Sequence, residues 1–251
     1  MSDPKLAIVT GALGGIGQAL VEVFQLAGYK VLALDKLSKP EAFCCHHYLQ
    51  VDLAELVTSP DYADHVLDEM HRIISSSRFK LSALINNAAI QSLAHTADIK
   101  IEDWRTTLNT NLLAPFLLTQ RLLEQLESAN GCVINIGSVH ARLTKPKFVT
   151  YATSKSALAG LTRAMAVDVG SKIRINAIEP AAVQTEMLLD GFGDNFEALD
   201  SLANCHPRGK LGTAQDVARL ALLIASGDID FLHGSCIAVD GGISGRLHDP
   251  G

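Results

Sequence analysis

The clearest indication of the fold is the stretch Thr10-Gly11-Ala12-Leu13-Gly14-Gly15-Ile16-Gly17. It directly follows the apolar run Leu6–Val9 and opens an amphipathic stretch over Ile16–Ala27, so the pattern predicts a strand, a tight turn and a helix. Glycines let the backbone turn sharply and approach a ligand, and the start of a helix offers unpaired N–H groups and a positive dipole end. This combination predicts a site for the pyrophosphate of a dinucleotide. A turn that only connects strand to helix is the alternative.

Short β-rich runs alternate with longer amphipathic stretches along the rest of the chain. This alternation is typical of βαβ units and predicts an α/β fold, a single-domain Rossmann-type doubly wound parallel sheet of about seven strands with helices on both faces. The predicted strands are Leu6–Val9, Lys30–Leu34, Leu49–Val51, Ala83–Asn86, Cys132–Ile136, Arg174–Ile178 and Cys236–Val239. The predicted helices are Ile16–Ala27, Tyr62–Ser75, Ile101–Gln125, Thr150–Val169 and Ala214–Ala225. We therefore expect one domain over residues 1–251, with an irregular substrate loop at about 181–212.

The composition is that of an ordinary globular chain. Of 251 residues, 48% are hydrophobic and 19% are charged, and 21 Lys and Arg against 27 Asp and Glu give a formal net charge of −6. This acidic balance disfavours nucleic acid as a partner. The chain has no run of about 18 apolar residues, and its start, Met1–Lys5, lacks the layout of a signal peptide, so we expect a cytoplasmic protein without a membrane contact.

The five cysteines are odd in number and do not resemble a disulfide framework, so we expect reduced thiols. Only the cluster Cys44-Cys45-His46-His47 suggests a metal. Adjacent side chains of an extended segment point to opposite faces, so these four cannot surround one ion without a sharply folded loop. A polar approach to a strand is the preferred interpretation, and no metal is predicted.

The glycine spacing, Gly11, Gly15 and Gly17, resembles the T-G-x-x-x-G-x-G turn of the short-chain dehydrogenases/reductases. Asp35 follows the second predicted strand, where a carboxylate can accept hydrogen bonds from the adenosine ribose hydroxyls. It also repels a 2′-phosphate, by about 4 kcal/mol per unit charge pair at an effective dielectric constant near 20. The sequence therefore predicts NAD rather than NADP as the coenzyme, although Lys36 leaves open a tolerance for NADP.

Two segments after later strands are also similar to this family. Asp52 and Leu53 lie where the family holds the adenine ring with an aspartate and the following backbone. Asn86-Asn87-Ala88-Ala89 resembles the family's N-N-A-G, with Ala89 in place of the glycine. On their own, both segments could be no more than polar strand ends.

The passage from the sixth predicted strand to its loop, Arg174–Pro180, resembles the family as well, with Ala181 in place of a glycine. Thr185 matches the threonine that contacts the nicotinamide carboxamide. The resemblance implies a coenzyme site made of Gly11, Gly15, Ile16, Gly17, Asp35, Asp52, Leu53, Asn87, Tyr151, Lys155, Pro180, Val183 and Thr185.

The segment Tyr151-Ala-Thr-Ser-Lys155 opens a predicted helix, and its Tyr and Lys are four apart on one face. Ser138 lies 13 residues before the tyrosine, just past a predicted strand, and Asn111 lies further upstream. Their order and spacing match the Asn, Ser, Tyr and Lys of the short-chain family. The resemblance implies that these four residues form the catalytic set.

Interconversion of an alcohol and a ketone by a nicotinamide moves a hydride at carbon and a proton at oxygen, so the site needs an acid/base. We expect Tyr151 to fill this role, because a nearby Lys155 ammonium would lower the pKa of its phenol. Ser138 would hold the substrate oxygen, and Asn111 would fix a water that leads protons to Lys155. A covalent serine nucleophile is disfavoured, since the chain has no G-x-S-x-G.

Gln91 and His140 resemble the carboxylate-binding glutamine and histidine of the 3-hydroxybutyrate dehydrogenases in this family. The lysine that those enzymes place three residues before the tyrosine is Phe148 here. We therefore expect a small polar secondary alcohol or its ketone, with a hydroxy acid such as 3-hydroxybutyrate as the leading candidate. Gln91 and His140 could equally be ordinary polar loop residues. A 3-oxoacyl thioester reductase using NADPH and a non-catalytic dinucleotide-sensing module are the alternative functions.

Two long predicted helices, Ile101–Gln125 and Thr150–Val169, carry more apolar surface than one side of a sheet can cover. Part of this surface is expected to pair with a second copy. The family commonly builds tetramers from such dimers, and the glycine-rich segment Gly242–Gly251 is suited to lie against a neighbour. The resemblance implies a homotetramer.

Overall fold

In a computed structural model, which describes residues 4–76, 79–193 and 195–247, seven parallel strands form one sheet. The strands are β1 Lys5–Thr10, β2 Lys30–Asp35, β3 His47–Gln50, β4 Lys80–Asn86, β5 Cys132–Ile136, β6 Arg174–Pro180 and β7 Cys236–Val239. Their order across the sheet is β3-β2-β1-β4-β5-β6-β7, and every neighbouring pair is parallel. The predicted doubly wound parallel sheet is confirmed.

Helices cover both faces of this sheet. They are α1 Gly15–Leu26, α2 Leu53–Thr58, α3 Pro60–Ser76, α4 Ile101–Leu108, α5 Ala114–Arg121, α6 Leu123–Ser128, α7 Val149–Val169, α8 Glu186–Phe192, α9 Phe196–Cys205 and α10 Ala214–Ser226. Leu6 and Ile8 of β1 belong to the core cluster that includes α2, α3 and α5, whereas Ala7 and Val9 belong to the cluster that includes α1 and α10. Both sides of the strand are buried, which explains why the strands are continuously apolar.

Three parts of the chain differ from the expectation. The third strand begins at His47, so the Cys44–His47 cluster runs into it, and His46 Nδ1 accepts the Val31 N–H at 3.3 Å. The segment predicted as one helix over 101–125 is broken into α4, a π-helix at Asn109–Leu113, α5 and α6. Pro115 has no N–H for the usual hydrogen bond, and the Ala114 N–H reaches back five residues to Asn109 O.

The third difference is the segment 181–212, which the sequence presents as irregular. It holds two helices, α8 and α9, that lie beyond the carboxyl edge of β6. We call residues 186–205 the lid. Short helices of mixed polarity give little periodic signal, so the sequence did not reveal them.

The segment after β7 packs against the carboxyl-terminal end of the lid, which is the last turn of α9. Arg246 Nη1 donates to the carbonyls of Asn204 and Cys205, both at 3.0 Å, and so satisfies the last turn of α9. The Arg208 N–H donates to Gly241 O at 3.1 Å. Residues 248–251 of the predicted neighbour-contacting tail lie outside the described residues. Among the helices that the structure describes, none is long and apolar enough to cross a membrane.

Candidate active site

The residues that the sequence singled out come together at the carboxyl edge of the sheet. β1 ends at Thr10, β4 at Asn86, β5 at Ile136 and β6 at Pro180, and parallel strands place these ends on one edge. β1 is also the strand at which the chain reverses its direction across the sheet, from β2 and β3 on one side to β4 on the other. Ligands of open α/β sheets bind at such a switch point.

The glycine turn is shaped by close backbone contacts. A Cβ on Gly17 would lie 2.0 Å from Gly11 O, and a Cβ on Gly11 would lie 2.7 Å from the Cα of Ala88. Gly14 caps α1 without a side-chain acceptor, and the first turn holds no acidic residue. The first N–H groups of α1 are therefore available to an anion, as a pyrophosphate requires.

The side chains of Thr10 and Asn87 join this turn to the loop after β4 by hydrogen bonds. The Thr10 hydroxyl accepts the backbone N–H groups of Asn87 and Ala88, each at 3.0 Å. Asn87 Nδ2 in turn donates to Thr10 O at 2.9 Å and to Gly11 O at 3.0 Å. The sequence predicted Asn87 in the coenzyme site, and the structure shows that it holds the start of the glycine turn. The role of Thr10 was missed, although its place at the end of β1 was visible.

Asp35 lies beside the glycine turn, as predicted. Its Oδ2 accepts the Leu13 N–H at 2.9 Å, and its Oδ1 accepts the Leu37 N–H at 3.2 Å. The carboxylate is thus held at the end of β2, half-buried, with its negative charge facing the turn. A ribose with free hydroxyls fits this position, whereas a 2′-phosphate would meet a like charge.

Asp52 has a structural role that sequence reasoning missed. Its Oδ1 accepts the N–H groups of Ala54 and Glu55, at 2.8 and 3.2 Å, and so caps α2. Its own N–H donates to the Tyr62 hydroxyl at 3.0 Å. Leu53, the first residue of α2, is buried, and both residues lie at the predicted edge. Asp followed by a short apolar run was the signal for a helix start here.

The opposite wall is formed by the loop after β6. Val183 is buried and pairs in parallel with Gly212, while Thr185 caps α8. A Cβ on Gly15 would lie 2.8 Å from Thr185 Cγ2, so this loop sits directly against the glycine turn. Thr185 therefore lies against the turn that carries half-buried Ile16, and Pro180 and Val183 precede it in the same loop region. The residues of the cleft between this loop and the turn fit a dinucleotide.

The two replaced glycines of the family pattern are tolerated. Ala89 and Ala181 are absent from the described residues with positive φ, where only Asn130 and Lys147 are not glycine. An alanine adopts the backbone at both positions without strain. The Ala181 N–H also pairs with Val239 O at 3.2 Å, as part of the regular continuation of β6.

Ser138, Tyr151 and Lys155 meet at the end of β5. Ser138 is buried, accepts the His140 N–H at 3.1 Å and lies close enough to Tyr151 to oppose the rise in the pKa of its phenol. Because the serine oxygen already accepts from a backbone N–H, its hydroxyl proton is free to be donated. Lys155 is buried, its Nζ lies 5.6 Å from the centre of the Tyr151 ring, and it donates to Ile136 O at 2.7 Å.

Burial dominates the ionisation of this tyrosine and lysine. It raises the pKa of the Tyr151 phenol, opposed by the hydrogen bond with Ser138. It lowers the pKa of the Lys155 ammonium to about 8. The expectation that Lys155 brings the pKa of Tyr151 below its usual value is therefore wrong for the protein chain alone, because the cost of burying a phenolate is larger. At neutral pH the lysine is still mostly protonated, so a positive charge remains beside the phenol.

Asn111 lies in the π-helix, and its amide ties two segments together. Nδ2 donates to Ile90 O at 2.9 Å and to Ser154 Oγ at 3.0 Å, and Oδ1 accepts the Ile90 N–H at 2.9 Å. Ser154 Oγ donates to Tyr151 O at 2.7 Å. Both amide protons are thus used within the protein, and any water held by this side chain must bind at Oδ1. The role of Ser154 was missed by sequence reasoning.

The two predicted substrate residues differ in how firmly the fold holds them. The His140 ring stacks on Phe148, with centres 4.5 Å apart, and meets the Tyr151 ring edge-on at 5.8 Å. Its Nδ1 is buried without a hydrogen-bond partner among the described residues. Gln91 is exposed, in a loop that joins the Tyr151 region where Thr150 Oγ1 donates to Ser92 O at 3.3 Å.

Burial, followed by the charge of Lys145, lowers the pKa of His140, so the ring is neutral at physiological pH. The position expected to hold a third anion-binding residue is filled by Phe148, whose ring supports His140 on one side and lies 4.6 Å from Lys145 Nζ. His140 can therefore offer a hydrogen bond to a substrate rather than a charge.

Comparison with known proteins places the chain in a family. The model of the family described as enoyl-(acyl carrier protein) reductase matches residues 11–244. D-threitol dehydrogenase of Mycolicibacterium smegmatis is 29% identical over 252 residues, which cover 96% of this chain and 93% of that protein. 3-Oxoacyl-(acyl-carrier-protein) reductase of Escherichia coli is 30% identical over 246 residues, which cover 96% and 98%.

Solved structures with the same fold include enzymes in complex with either coenzyme. Ligand-free aldohexose dehydrogenase of Thermoplasma acidophilum is similar with a TM-score of 0.89 and 29% identity, over 99% of this chain and 97% of that one. ElxO with NADP bound has a TM-score of 0.86 and 26% identity, over 97% and 100%. 4-Hydroxyisoleucine dehydrogenase complexed with NADH has a TM-score of 0.84 and 26% identity, over 97% and 100%.

The fold, the site and these similarities define an oxidoreductase that uses a nicotinamide dinucleotide. More narrowly, the chain belongs to the short-chain dehydrogenase/reductase family.

Proposed function

We propose that this protein is an NAD(H)-dependent dehydrogenase that interconverts a small polar secondary alcohol and its ketone. The observation that carries the proposal is the meeting of Ser138, Tyr151 and Lys155 at the carboxyl edge of the sheet, the edge that also holds the glycine turn. The choice of NAD rests on Asp35, whose carboxylate is fixed against that turn. A dinucleotide-sensing module would have no use for a half-buried phenol beside a buried lysine.

The residues of the chain divide the proton chemistry among them. The nicotinamide, when bound, supplies the acceptor for the hydride that leaves the carbinol carbon. In its phenolate form Tyr151 takes the proton of the substrate hydroxyl, and in the reverse direction its phenol gives a proton to the carbonyl oxygen. Ser138 donates a hydrogen bond to the same oxygen, and the Lys155 ammonium stabilises the phenolate that forms. Asn111 links α7 to the loop after β4 through its hydrogen bonds with Ser154 and Ile90. We propose that its Oδ1 also holds a water on the route to Lys155.

We propose a hydroxy acid, such as 3-hydroxybutyrate, as the leading substrate. His140 offers a buried hydrogen-bonding nitrogen next to Tyr151, and the segment around it carries Lys145 and Lys147 and no acidic residue, while Arg142 is already paired with Glu179. A carboxylate near the reacting carbon would meet a donor and a positive local field. Gln91 would be a second donor at the exposed mouth of the same cleft.

The proposed function is tested by turnover. Purified protein is assayed with NAD and NADP against hydroxy acids, polyols, aldoses and 3-oxoacyl thioesters, with Tyr151→Phe as the matched inactive control. We expect reduction of NAD by a hydroxy acid that the control does not catalyse. Preference for NADP would refute the assignment of Asp35, and turnover that survives in the control would refute the catalytic assignment.

A second candidate is reduction of a 3-oxoacyl thioester by NADPH. It is favoured by the 30% identity with an enzyme named for that reaction. Asp35 opposes it, because the carboxylate repels the additional phosphate of NADPH. The same assay panel separates the two functions, since the thioester reaction requires both a different substrate and a different coenzyme.

We further propose a homotetramer located in the cytoplasm. Apolar side chains are exposed on the long helices, with Val167 84% exposed, and on the loop before β7, where Phe231 is fully exposed. Exposed apolar surface of this kind favours interfaces between copies. Light scattering coupled to size exclusion measures the mass, and a monomer would refute the association.

A further inference from the structure

Glu179 of β6 is a buried carboxylate that the proposed mechanism does not use. Its side chain is 2% exposed, and its Oε2 lies 2.8 Å from Arg142 Nη2, which donates a hydrogen bond to it. The Arg142 side chain is 55% exposed, so the pair joins a buried acid to a base at the surface. Buried acids are rare unless they are paired, and their position in a fold is usually specific.

The neighbours of Glu179 are the two ends of the segment that carries Ser138. A Cβ on Gly137, the residue before Ser138, would lie 3.1 Å from the Cγ of Glu179. Arg142 follows the 3-10 turn Val139–Ala141 that begins at Ser138. Glu179 therefore packs against one end of this segment and forms an ion pair with the other end. In addition, the Gly137 N–H donates to Ile178 O at 2.7 Å, so the backbone of this segment is also hydrogen-bonded to β6.

We propose that Glu179 is a positioning residue for Ser138: anchored to Arg142, it holds residues 137–142 so that the Ser138 hydroxyl stays within hydrogen-bond reach of Tyr151 and of a substrate oxygen. This inference rests on the proposed function of the same site. It assigns the ion pair to catalysis rather than to the stability of β6 alone.

The surroundings of Glu179 explain why Arg142 is its anchor. Cys236 of β7 also faces this carboxylate, and burial together with the negative charge of Glu179 raises the pKa of the Cys236 thiol. Arg163 of α7 is directed at Cys236, with Nη1 3.9 Å from Sγ. The Arg163 guanidinium donates to the Cys236 sulfur, so the ion pair with Glu179 is formed by Arg142. Loss of Arg142 should therefore also lower kcat, and it should in addition destabilise the protein because it leaves the Glu179 carboxylate buried without its ion-pair partner.

The test compares Glu179→Leu with Glu179→Gln, alone and combined with Ser138→Ala. We expect Glu179→Leu to lower kcat about tenfold, because small displacements of a reacting group have effects of this order. Glu179→Gln keeps the shape and one acceptor for Arg142, so it should recover most of the activity. In the Ser138→Ala background, Glu179→Leu should change kcat by less than about twofold, since residues that act through one group are not additive.

Three results would overturn the proposal. One is an equal loss of kcat from Glu179→Leu with and without Ser138. Another is a loss of NADH affinity, measured by fluorescence, that matches the loss of kcat, because Pro180 and the coenzyme wall follow Glu179 directly. The third is an unchanged kcat in Arg142→Met, the variant that changes only the half-exposed partner and serves if Glu179→Leu fails to fold.

A spectroscopic readout makes the test independent of any substrate. Ultraviolet titration, taken as the difference from Tyr151→Phe, reports the ionisation of Tyr151. Glu179→Leu and Ser138→Ala should both raise its midpoint, because each removes the hydrogen bond that favours the phenolate. An unchanged midpoint in Glu179→Leu would overturn the proposal even if no substrate is turned over, whereas absent turnover with a shifted midpoint would count only against the proposed function.

The chain offers a matched control on the same strand. Arg174 at the amino end of β6 lies 3.8 Å from Asp230, far from the carboxyl edge that holds the site. Asp230→Asn removes this pair, and we expect kcat and the Tyr151 midpoint to stay as in the wild type. A loss of kcat in this control equal to that in Glu179→Leu would show that any ion pair on β6 has the same effect, and would overturn the specific role of Glu179.

Discussion

The coenzyme side and the substrate side of the cleft are built by different means. On the coenzyme side, Asp35 and Asn87 bind the backbone of the glycine turn, and the Thr10 hydroxyl binds the backbone of Asn87 and Ala88, through hydrogen bonds of 2.9 to 3.0 Å. On the substrate side, Gln91 is exposed and Phe196 of the lid is 74% exposed. A rigid wall suits a ligand that is the same in every turnover, whereas an open wall of side chains leaves selectivity to a few loop residues. Substitutions on the two sides should therefore differ in size.

The largest effect is expected where the two sides meet. Tyr151→Phe removes the only ionisable oxygen of the proposed acid/base while the ring keeps its contact with His140. We expect kcat to fall by about 10³-fold, the usual scale for general acid/base catalysis. Steady-state kinetics gives kcat, and NADH fluorescence should show unchanged coenzyme affinity. A parallel loss of affinity would mean that the tyrosine belongs to the coenzyme wall alone.

Gly17→Ala tests the rigid wall. Its Cβ would lie 2.0 Å from Gly11 O, so the backbone of the turn must move. We expect a loss of about 2–3 kcal/mol in the free energy of unfolding, together with weaker NADH binding. Gly14→Ala is the matched control, because its Cβ would meet only Gly11 O at 3.5 Å. Urea denaturation compares the two, and equal stabilities would show that the turn is pliable.

Removing the buried charge of Lys155 should make the protein more stable and inactive. Burial lowers the pKa of this ammonium from 10.5 to about 8, so between these values the unfolded chain binds more protons than the folded chain. The burial cost is therefore present in full below pH 8 and fades as the pH rises toward 10.5. We expect Lys155→Met to raise the free energy of unfolding by about 1–3 kcal/mol at pH 7 and by much less at pH 10. Denaturation at both pH values checks this, and a gain that grows with pH would contradict it.

Asp35→Ser combined with Lys36→Arg should reverse the coenzyme preference without touching the substrate side. It removes a repulsive charge and adds a partner for a 2′-phosphate. We expect the ratio of kcat/KM for NADP to that for NAD to rise about 100-fold. Lys36→Arg alone is the control and should move this ratio far less. If the ratio stays constant in the double variant, the Asp35 carboxylate does not face the ribose.

The smallest effect is expected on the open side. His140→Ala leaves the backbone N–H that donates to Ser138, so kcat should change little. Loss of one neutral hydrogen bond to the substrate should raise KM about fivefold to tenfold. Gln91→Ala, at the exposed mouth, should have a weaker effect still. A fall in kcat for His140→Ala with constant KM would assign its ring to the support of Tyr151 instead.

The same contrast explains what could be predicted from the sequence. The strands, the glycine turn and the spacing of Ser138, Tyr151 and Lys155 are local patterns, and the structure brings these residues to one edge. Glycines and strand ends carry this information because backbone geometry requires them. Coenzyme choice, catalytic roles and assembly remain predictions.

Features that depend on distant contacts could not be predicted. The ion pair of Glu179 with Arg142 and the stacking of His140 on Phe148 join residues whose contact no periodic pattern reveals. The raised pKa of Tyr151 depends on how deeply the ring is buried, which spacing does not report. The π-helix around Asn111 is an intermediate case, since Pro115 indicated a break but not its form.

The contact of Arg246 with the last turn of α9 has a practical consequence for handling the protein. Because this guanidinium binds the carbonyls of Asn204 and Cys205, a label attached at residue 246 or 247 would lie close to the lid. β1 begins at Lys5 on the amino edge of the sheet, opposite the cleft. A label attached near Lys5 therefore leaves the substrate side undisturbed, and kinetic constants should be measured with protein labelled there.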